Sequence, residues 1–558
     1  MSNDRLSLSF NNIIKSFNFN LWTIAVIAIA LIIATPIIFV FSSIFTNAGD
    51  IWQHLIDTVL KDYIINSCWL MVGVGIGVTL IGVGTAWLVT MCRFWGSSWL
   101  QWLLLLPLAA PAYLLAYGYT DLLDYFGPVQ TFLRSLFGWT TIRDYWFPNV
   151  RSLWGAILML TLVLYPYVYL LARVAFLEQS VCTLEASRSL GCNPWRSFLT
   201  IALPLARPSI MAGLALALME TLNDFGTVEY FGVSTFTTGI YRTWLGMGER
   251  AAAAQLAAFL MLFILGLIVL ERLSRQQAQY YQLSSSAKKL PKYELGFFRG
   301  IIAAISCLIP VALGFLIPAW YLLRMTWLNR ANAFDDDFWS LISHSLILAI
   351  ATAIIAMLIS LIMAYGQRLQ PNWAMRSAVR IAAMGYAIPG SVIAVGILIP
   401  LANFDNVLDG LMRANFGIST GLLFSGTIIS LIFAYLVRFL AVAFSSVESS
   451  LNKITPNLDD AARSLGYGAT NTLIKVHAPL MSGGLLTAAM LVFVDVMKEL
   501  PATLVIRPFN FDTLAIRVYQ YASDERLIEA SAPALAIVLV GIIPVILLTW
   551  RITRSRVD

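Results

Sequence analysis

Long apolar runs alternate with short polar segments along the whole chain. A helix that crosses about 30 Å of hydrocarbon at 1.5 Å per residue needs about 20 apolar residues. The first apolar run follows a polar lead and is too long for a signal-peptide core, so we interpret it as a retained span. The pattern predicts an all-α polytopic membrane protein with about 12 transmembrane helices. These are the stretches 21–45, 66–92, 99–121, 152–175, 206–228, 252–271, 298–324, 342–366, 379–402, 421–446, 481–504 and 530–550.

Two of the polar segments have nearly the same sequence and lie 275 residues apart. The first contains EASRSLG at 185–191, then nine residues, then IALP at 201–204. The second contains DAARSLG at 460–466, then nine residues, then VHAP at 476–479. A repeat of this length predicts that the protein consists of two related halves.

The repeat extends into the apolar runs. Six spans in each half give both copies the same orientation, which predicts two parallel repeats related by a pseudo-two-fold axis along the membrane normal. We therefore predict a first transmembrane half at 1–272, a polar cytoplasmic linker at 273–297 and a second half at 298–558. The matching positions are Pro111 and Pro389, Gly118 and Gly396, Glu220 and Asp495, Asp224 and Glu499, Phe236 and Phe511, Thr238 and Thr513, and Arg242 and Arg517.

Composition and charge agree with a membrane protein. Of the 558 residues, 59% are hydrophobic and 12% are charged, and the net charge is +6. The basic residues are scattered between apolar runs, which argues against nucleic-acid binding. With both termini in the cytoplasm, 23 of the 36 lysine and arginine residues fall on the inner side, as the positive-inside rule requires. The same orientation places both repeated motifs in the cytoplasm.

The residue types of the motif predict a helix, a turn and a second helix that enters the membrane. Gly191 and Gly466 suit the positive φ that ends a helix, and Pro204 and Pro479 suit the first turn of the next one. A short helix that projects from the bilayer can lie in a groove on a partner. The alternative is an amphipathic loop at the lipid surface, but such a loop has no reason to repeat at fixed spacing.

The motif resembles the coupling loop in the permease subunits of binding-protein-dependent ABC importers, whose pattern is Glu-Ala-Ala, three residues, Gly, nine residues, Ile-x-Leu-Pro. The resemblance covers essentially the whole chain, with two copies in one polypeptide. The first copy departs from the pattern at Ser187, and the second departs at Asp460 and at 476–478. The coupling residues that the resemblance implies are Glu185, Ala186, Ser187, Gly191, Ile201, Pro204, Asp460, Ala461, Ala462, Gly466, Val476 and Pro479.

This resemblance also implies the partners. Each coupling helix would dock on a homodimer of a cytoplasmic ABC ATPase, and a periplasmic binding protein would deliver the substrate at a bacterial inner membrane. The chain has no Walker glycine-lysine motif, so the ATPase is expected on a separate polypeptide that holds ATP and Mg. The chain itself would be a permease subunit rather than an enzyme, and would bind no cofactor.

Acidic residues near the membrane are the best indication of the cargo, because such residues are costly unless they are functional or paired. Glu220 and Asp224 are spaced i, i+4, as are Asp495 and Glu499, which predicts that each pair lies on one helical face beyond the bilayer midplane. Tyr230 and Tyr241 follow the first pair. Carboxylates and phenolates are hard ligands that suit a hard, highly charged cation. Alternatively, the acids have a structural role, in which Asp495 pairs with the lysine three residues later and Glu220 caps a polar helix end.

The segments around both pairs resemble the ferric-iron branch of this family. The quoted runs are MKELPATL at 497–504, RPF at 507–509, DTLA at 512–515 and METLNDFGT at 219–227. The resemblance implies import of Fe(III), with transient contact to the four acids, by alternating access. Thiamine, polyamines or phosphonates remain alternative cargoes in the same class.

Two other classes of protein fit the sequence less well. An ion-driven secondary transporter also uses buried acids and repeats, but it has no need for two cytoplasmic docking motifs. An integral-membrane enzyme would need a His, Cys or nucleophile constellation. The five cysteines form no CxxC pair and the chain has three histidines, which argues against a zinc or thiolate site.

Overall fold

The chain folds almost entirely into helices in a computed structural model that describes residues 21–46, 49–141, 143–178, 193–276 and 292–554. Among these residues, ten helices are long and apolar enough to cross a membrane, and two bent helix pairs bring the number to twelve. The predicted all-α polytopic fold is therefore confirmed. The ten are Leu21–Phe45, Leu60–Met91, Leu153–Leu177, Phe198–Asn223, Arg250–Glu271, Phe297–Leu328, Asp336–Leu369, Gly390–Phe416, Ile428–Leu451 and Leu527–Ile546.

Shorter elements connect or extend the long helices. Two short parallel strands, Cys92–Arg93 and Tyr293–Glu294, pair with each other. The shorter α-helices are Gly49–Thr58, Ser97–Leu103, Ala112–Leu123, Pro128–Phe137, Pro194–Ser197, Gly226–Tyr230, Phe236–Tyr241, Trp373–Ala382, Pro456–Ser464, Ala469–Thr472, Ala478–Leu480, Ser482–Met497, Pro501–Ile506 and Leu514–Ser523. Single turns of 3₁₀ helix lie at Ser43–Phe45, Leu106–Ala109 and Gly385–Ala387, and π-helical turns lie at Phe198–Ala202, Arg242–Gly246, Ala312–Leu316 and Leu473–His477.

Prolines break two of the predicted spans. The predicted span 99–121 bends by 91° between Ala109 and Ala112. Pro111 disfavours helical geometry in the residue before it, and Ala110 is indeed extended. In the second half, Pro389 likewise directly precedes its long helix, which therefore begins later than the predicted 379. Matching prolines thus have matching consequences in the two copies of the repeat.

The larger compact unit contains residues 43–344, 498–504 and 512–558. At its core, Leu60–Met91 packs closely against Leu153–Glu178. A methyl group placed on Gly82 would lie 2.8 Å from Cβ of Val168, so the two helices meet where a side chain is absent. Small residues allow such close packing between helices in a membrane, where lipid supplies no hydrophobic drive for association.

The smaller unit contains residues up to Ser42, 345–497 and 505–511. Its first helix, Leu21–Ser42, packs against Trp373–Ala382 and Gly390–Phe416. A methyl group placed on Gly396 would lie 2.7 Å from the carbonyl oxygen of Pro36. The first long helix of the sequence is therefore an integral part of a unit built mainly from later residues.

Each compact unit takes chain from both halves of the sequence. The first helix joins later residues in the smaller unit, and residues 298–344 join earlier ones in the larger unit. The predicted division into 1–272, 273–297 and 298–558 concerns the repeat in the sequence and remains a prediction, as does the pseudo-two-fold axis. Most of the predicted linker, 277–291, lies outside the described residues.

Candidate functional site

The second copy of the coupling motif forms the helix and the turn that its sequence predicts. The helix Pro456–Ser464 ends before Gly466, which has a φ of +81°. The amide of Tyr467 donates to the carbonyl of Ala462 at 3.0 Å, which closes the turn. The left-handed conformation favours glycine because a Cβ there is strained. The prediction for Gly466 is therefore confirmed.

The coupling helix presents an open surface. Asp460 and Ala461 are exposed, whereas Ala462 is 3% exposed and holds the helix to the protein. Leu465 at the turn is 76% exposed, although it is a large apolar side chain. An exposed apolar side chain at the end of a short helix suits insertion into a groove on a partner. Val476 is half-buried in the π-helical turn that follows.

The prolines of the two copies differ in position. Pro204 lies in the first turn of Leu203–Asn223, as predicted, and Ile201 lies in the preceding π-helical turn. Pro479 instead begins the short helix Ala478–Leu480, which is separated by a 79° bend from Ser482–Met497. The prediction that Pro479 opens the membrane helix itself is wrong, because the chain turns once more at Met481.

The first copy is described in part. Its residues Glu185, Ala186, Ser187 and Gly191 lie outside the described residues. Their predicted part in coupling remains a prediction.

An arginine that the sequence reasoning missed ties the second coupling helix to a long helix. Arg368, near the end of Asp336–Leu369, donates to Oδ2 of Asp459 from Nε at 3.0 Å and from Nη2 at 2.5 Å. The same guanidinium donates to the carbonyl oxygens of Leu451 and Ile454, both at 2.9 Å. Nε2 of the fully buried His477 lies 3.1 Å from Oδ1 of Asp459. We call Arg368, Asp459 and His477 the arginine clamp.

The clamp is specific to the second copy. The first half also has an arginine just beyond a long helix, Arg93 after Leu60–Met91. However, Leu184 and Ala202 occupy the positions that match Asp459 and His477. Arg93 forms an exposed ion pair with Glu294 instead, at 3.5 Å. The two copies therefore share the coupling motif, but Asp459 and His477 of the clamp have no counterparts in the first copy.

The first acidic pair lies where a long helix ends. Glu220 is in the helix Leu203–Asn223, and its carboxylate accepts from Nδ2 of Asn223 at 3.4 Å. Asp224 follows the helix with an extended backbone, and its carboxylate accepts the amide hydrogens of Thr227 and Val228, both at 3.1 Å. Asp224 thus caps the short helix Gly226–Tyr230.

The second acidic pair repeats this arrangement locally. Asp495 is half-buried in Ser482–Met497, and Glu499 lies beyond the end of that helix. The Glu499 carboxylate accepts from the amides of Ala502 at 2.8 Å and Thr503 at 3.0 Å, and from the Thr503 hydroxyl at 2.5 Å. These donors belong to the first turn of Pro501–Ile506.

The prediction that each acidic pair occupies one helical face is therefore wrong. In both copies a helix ends between the two acids, because the second acid satisfies the free amides at the start of the next short helix. Across the described residues, no group of three or more His, Cys, Asp or Glu side chains is placed to hold a metal ion. Contact of these acids with a cation remains a prediction.

Tyrosines surround the two caps in the larger unit. The Tyr241 hydroxyl donates to the carbonyl of Pro501, so it is already occupied. The ring of Tyr230 lies 4.5 Å from that of Tyr117, centroid to centroid. Tyr113 and Tyr117, from the helix Ala112–Leu123, are 5% and 3% exposed. The sequence reasoning missed these two residues, since they lie in an apolar run more than 100 residues before Asp224.

Comparison with known proteins gives matches along most of the chain. A family model described as binding-protein-dependent transport system inner membrane component matches residues 78–278. The Fe(3+)-transport system permease protein FbpB 2 of Haemophilus influenzae is 26% identical, covering 88% of this chain and 90% of the relative. The ferric transport system permease protein FbpB of Actinobacillus pleuropneumoniae is 21% identical, covering 95% of this chain and 78% of the relative.

A shorter relative is more similar in sequence. The molybdenum transport system permease protein ModB of Escherichia coli is 30% identical over 207 residues, which cover 35% of this chain and 87% of the relative. Together with the helical membrane fold, these matches identify the type of protein. The chain belongs to the family of binding-protein-dependent transport system inner membrane components, as an ABC importer permease that resembles the ferric-iron group.

Proposed function

We propose that this permease imports ferric iron across a bacterial inner membrane by alternating access. A periplasmic binding protein delivers Fe(III), and a homodimer of a separate ABC ATPase, which holds ATP and Mg, drives the cycle. Both termini lie in the cytoplasm. The observation that carries the proposal is the similarity over 88% or more of the chain to permeases named for iron transport.

The second coupling helix supports the ATPase contact. Its free face carries Asp460, Ala461 and the exposed Leu465, and the arginine clamp joins its base to a long membrane helix. A force applied to this helix by an ATPase would reach the membrane helix through short, charge-assisted hydrogen bonds. Glu185 and its neighbours would form the corresponding contact in the first copy.

The acids support a cationic cargo. Glu220, Asp224, Asp495 and Glu499 concentrate negative charge near helix ends, and carboxylate oxygens are hard ligands that favour Fe(III) over soft metals. Charge by itself does not separate Fe(III) from thiamine or a polyamine. Transport therefore has to be compared directly.

Reconstitution tests the proposal. The permease, its ATPase and the cognate binding protein are placed in proteoliposomes, and uptake of radiolabelled iron, supplied as ferric citrate, is compared with uptake of thiamine. We expect ATP-dependent accumulation of iron and stimulation of ATP hydrolysis by the iron-loaded binding protein. Accumulation of thiamine without iron would assign the permease to the alternative cargo. Uptake that needs an ion gradient but no ATPase would overturn the importer mechanism.

A further inference from the structure

Two buried hydroxyls of the larger unit make no hydrogen bond within the described residues. They belong to Tyr113 and Tyr117, which are 5% and 3% exposed. The spacing i, i+4 places both on one face of the helix Ala112–Leu123, and their ring centroids are 5.7 Å apart. Buried hydroxyl groups normally have partners, because leaving one unsatisfied destabilises the fold. Two such hydroxyls on neighbouring rings are available to bind a ligand that enters between these helices.

Tyr113 lies beside the segments that carry the two acid caps. A methyl group placed on Gly226 would lie 2.7 Å from Cβ of Tyr113 and 3.1 Å from Cδ2 of Leu500, so little space separates these segments. The Tyr113 hydroxyl is within electrostatic range of the carboxylates of Glu499 and Asp224. A cation at this hydroxyl would therefore be held near two negative charges.

Tyr117 is connected to an exposed ion pair through contacts with Tyr230. The ring of Tyr117 meets that of Tyr230 at 4.5 Å between centroids, and the Arg151 guanidinium lies over Tyr230 at 5.2 Å. Arg151 pairs with Glu525 at 3.3 Å, and these two side chains are 45% and 73% exposed. The series of contacts runs from the exposed Arg151 through Tyr230 and Tyr117 to Tyr113. Under the predicted orientation, the exposed end of this series faces the periplasm.

We propose that the hydroxyls of Tyr117 and Tyr113 are successive ligands for ferric iron on its way from the outer side to the Asp224 and Glu499 carboxylates. The inference rests on the proposed function. A phenolate is a hard anionic ligand suited to Fe(III), and each phenol releases its proton to water of the opened pathway as the metal binds. Within the described residues the two hydroxyls make no hydrogen bond, and the arriving cation supplies each with a partner.

The proposal distinguishes iron from organic cations. An aromatic ring attracts any cation through its face, and phenylalanine retains that attraction. Ligation through oxygen needs the hydroxyl. Replacement of tyrosine by phenylalanine removes the ligand while the ring packing between Tyr113, Tyr117 and Tyr230 is preserved.

The experiment compares Y113F/Y117F with Y165F in the complete complex. Tyr165 is a matched control, because its hydroxyl is also fully buried and makes no hydrogen bond in the described residues, but it lies on Leu153–Glu178 among other neighbours. Ferric citrate is titrated into the purified complex, and visible absorption from phenolate-to-iron charge transfer is recorded. Iron uptake and ATP hydrolysis are measured in proteoliposomes.

We expect the charge-transfer absorption in the wild type and in Y165F, and its loss in Y113F/Y117F. Uptake should fall about tenfold in the double variant. Assembly with the ATPase should be unchanged. Wild-type uptake by Y113F/Y117F, or iron transport by a wild type that never shows the absorption, overturns the inference and leaves the proposed function standing. A wild type that takes up no iron overturns the proposed function itself.

Discussion

Asp224 and Glu499 each cap a short helix, one in each copy of the repeat. Each accepts two backbone amides from the first turn of a short helix, at distances of 2.8 to 3.1 Å. In D224N the single amide oxygen could accept both hydrogen bonds, as Oδ2 of Asp224 does, whereas in E499Q it could accept only one, because Ala502 donates to Oε1 and Thr503 donates to Oε2. Neither amide carries a negative charge, so substitution separates the capping role from the proposed cation-binding role most cleanly at Asp224.

We predict that changing all four acids to amides reduces iron uptake but preserves assembly. The variant is E220Q, D224N, D495N and E499Q, and assembly is measured by co-purification with the ATPase. D405N is the matched control, because the buried Asp405 carboxylate also accepts backbone amides, from Phe424 and Ser425. Normal uptake in the fourfold variant would leave the acids with the capping role alone.

The left-handed conformation of Gly466 gives a second prediction for a single residue. At its φ of +81° a β-branched residue is strained, so G466V should destabilise the turn by about 1–2 kcal/mol. We expect loss of the ATP hydrolysis that the loaded binding protein stimulates. G468A is the control, since Gly468 has a negative φ and a methyl group there meets no atom within 4 Å. The same substitution at Gly191 should uncouple the first copy, whereas coupling unchanged in both variants would refute the docking role.

At the scale of elements, the arginine clamp attaches the second coupling helix, Pro456–Ser464, to the long helix Asp336–Leu369. The side chains of Arg368 and Asp459 are 18% and 15% exposed, so water screens their attraction weakly. The ion pair of Arg93 and Glu294 is 74% and 81% exposed. The protein therefore has one enclosed arginine–carboxylate pair and one open pair, and their contributions to stability should differ.

We predict that R368Q weakens coupling and that R93Q does not. Loss of Arg368 leaves Asp459 and two carbonyl oxygens without their donor, at a cost of about 2 kcal/mol. Exposed pairs contribute about 0–1 kcal/mol, so R93Q should have little effect. The measurements are the thermal midpoint in detergent and the ratio of iron transported to ATP hydrolysed. Equal ratios in both variants would show that the clamp transmits nothing.

At the scale of the molecule, each compact unit combines segments that are distant in the sequence. In the smaller unit, Thr23 donates to the side-chain oxygen of Gln370 at 2.7 Å, and the ring of Trp22 meets that of Tyr365 edge-on at 5.3 Å between centroids. These contacts join the first long helix to residues more than 300 positions later. The stability of this unit should therefore depend on how closely its helices approach.

Gly396 provides a test with its own repeat partner as control. A methyl group at Gly396 would lie 2.7 Å from the carbonyl oxygen of Pro36, whereas one at Gly118 meets no atom within 4 Å. We predict that G396A destabilises the protein by about 1–3 kcal/mol because backbone must move. G118A should be neutral or slightly stabilising, since alanine favours helix. Thermal unfolding in detergent measures both, and equal midpoints would contradict the close approach.

Much of the fold and part of the site could be predicted from the sequence. Apolar length located twelve candidate spans, and glycine chemistry located the turn at Gly466, because both depend on local properties. The breaks at Pro111 and Met481, and the helix ends between paired acids, were missed. Periodicity cannot show that Asp224 and Glu499 satisfy the amides of new helices rather than continue the old ones.

The sequence by itself determined the membrane class and the duplicated motif, since both follow from residue types at short or regular spacing. Only the tertiary structure decided which distant residues meet. It joined Arg368 to Asp459, brought Tyr113 beside the segments that carry Asp224 and Glu499, and assigned the first helix to the smaller unit. Such pairings depend on packing between helices, where one missing Cβ sets how closely two backbones approach.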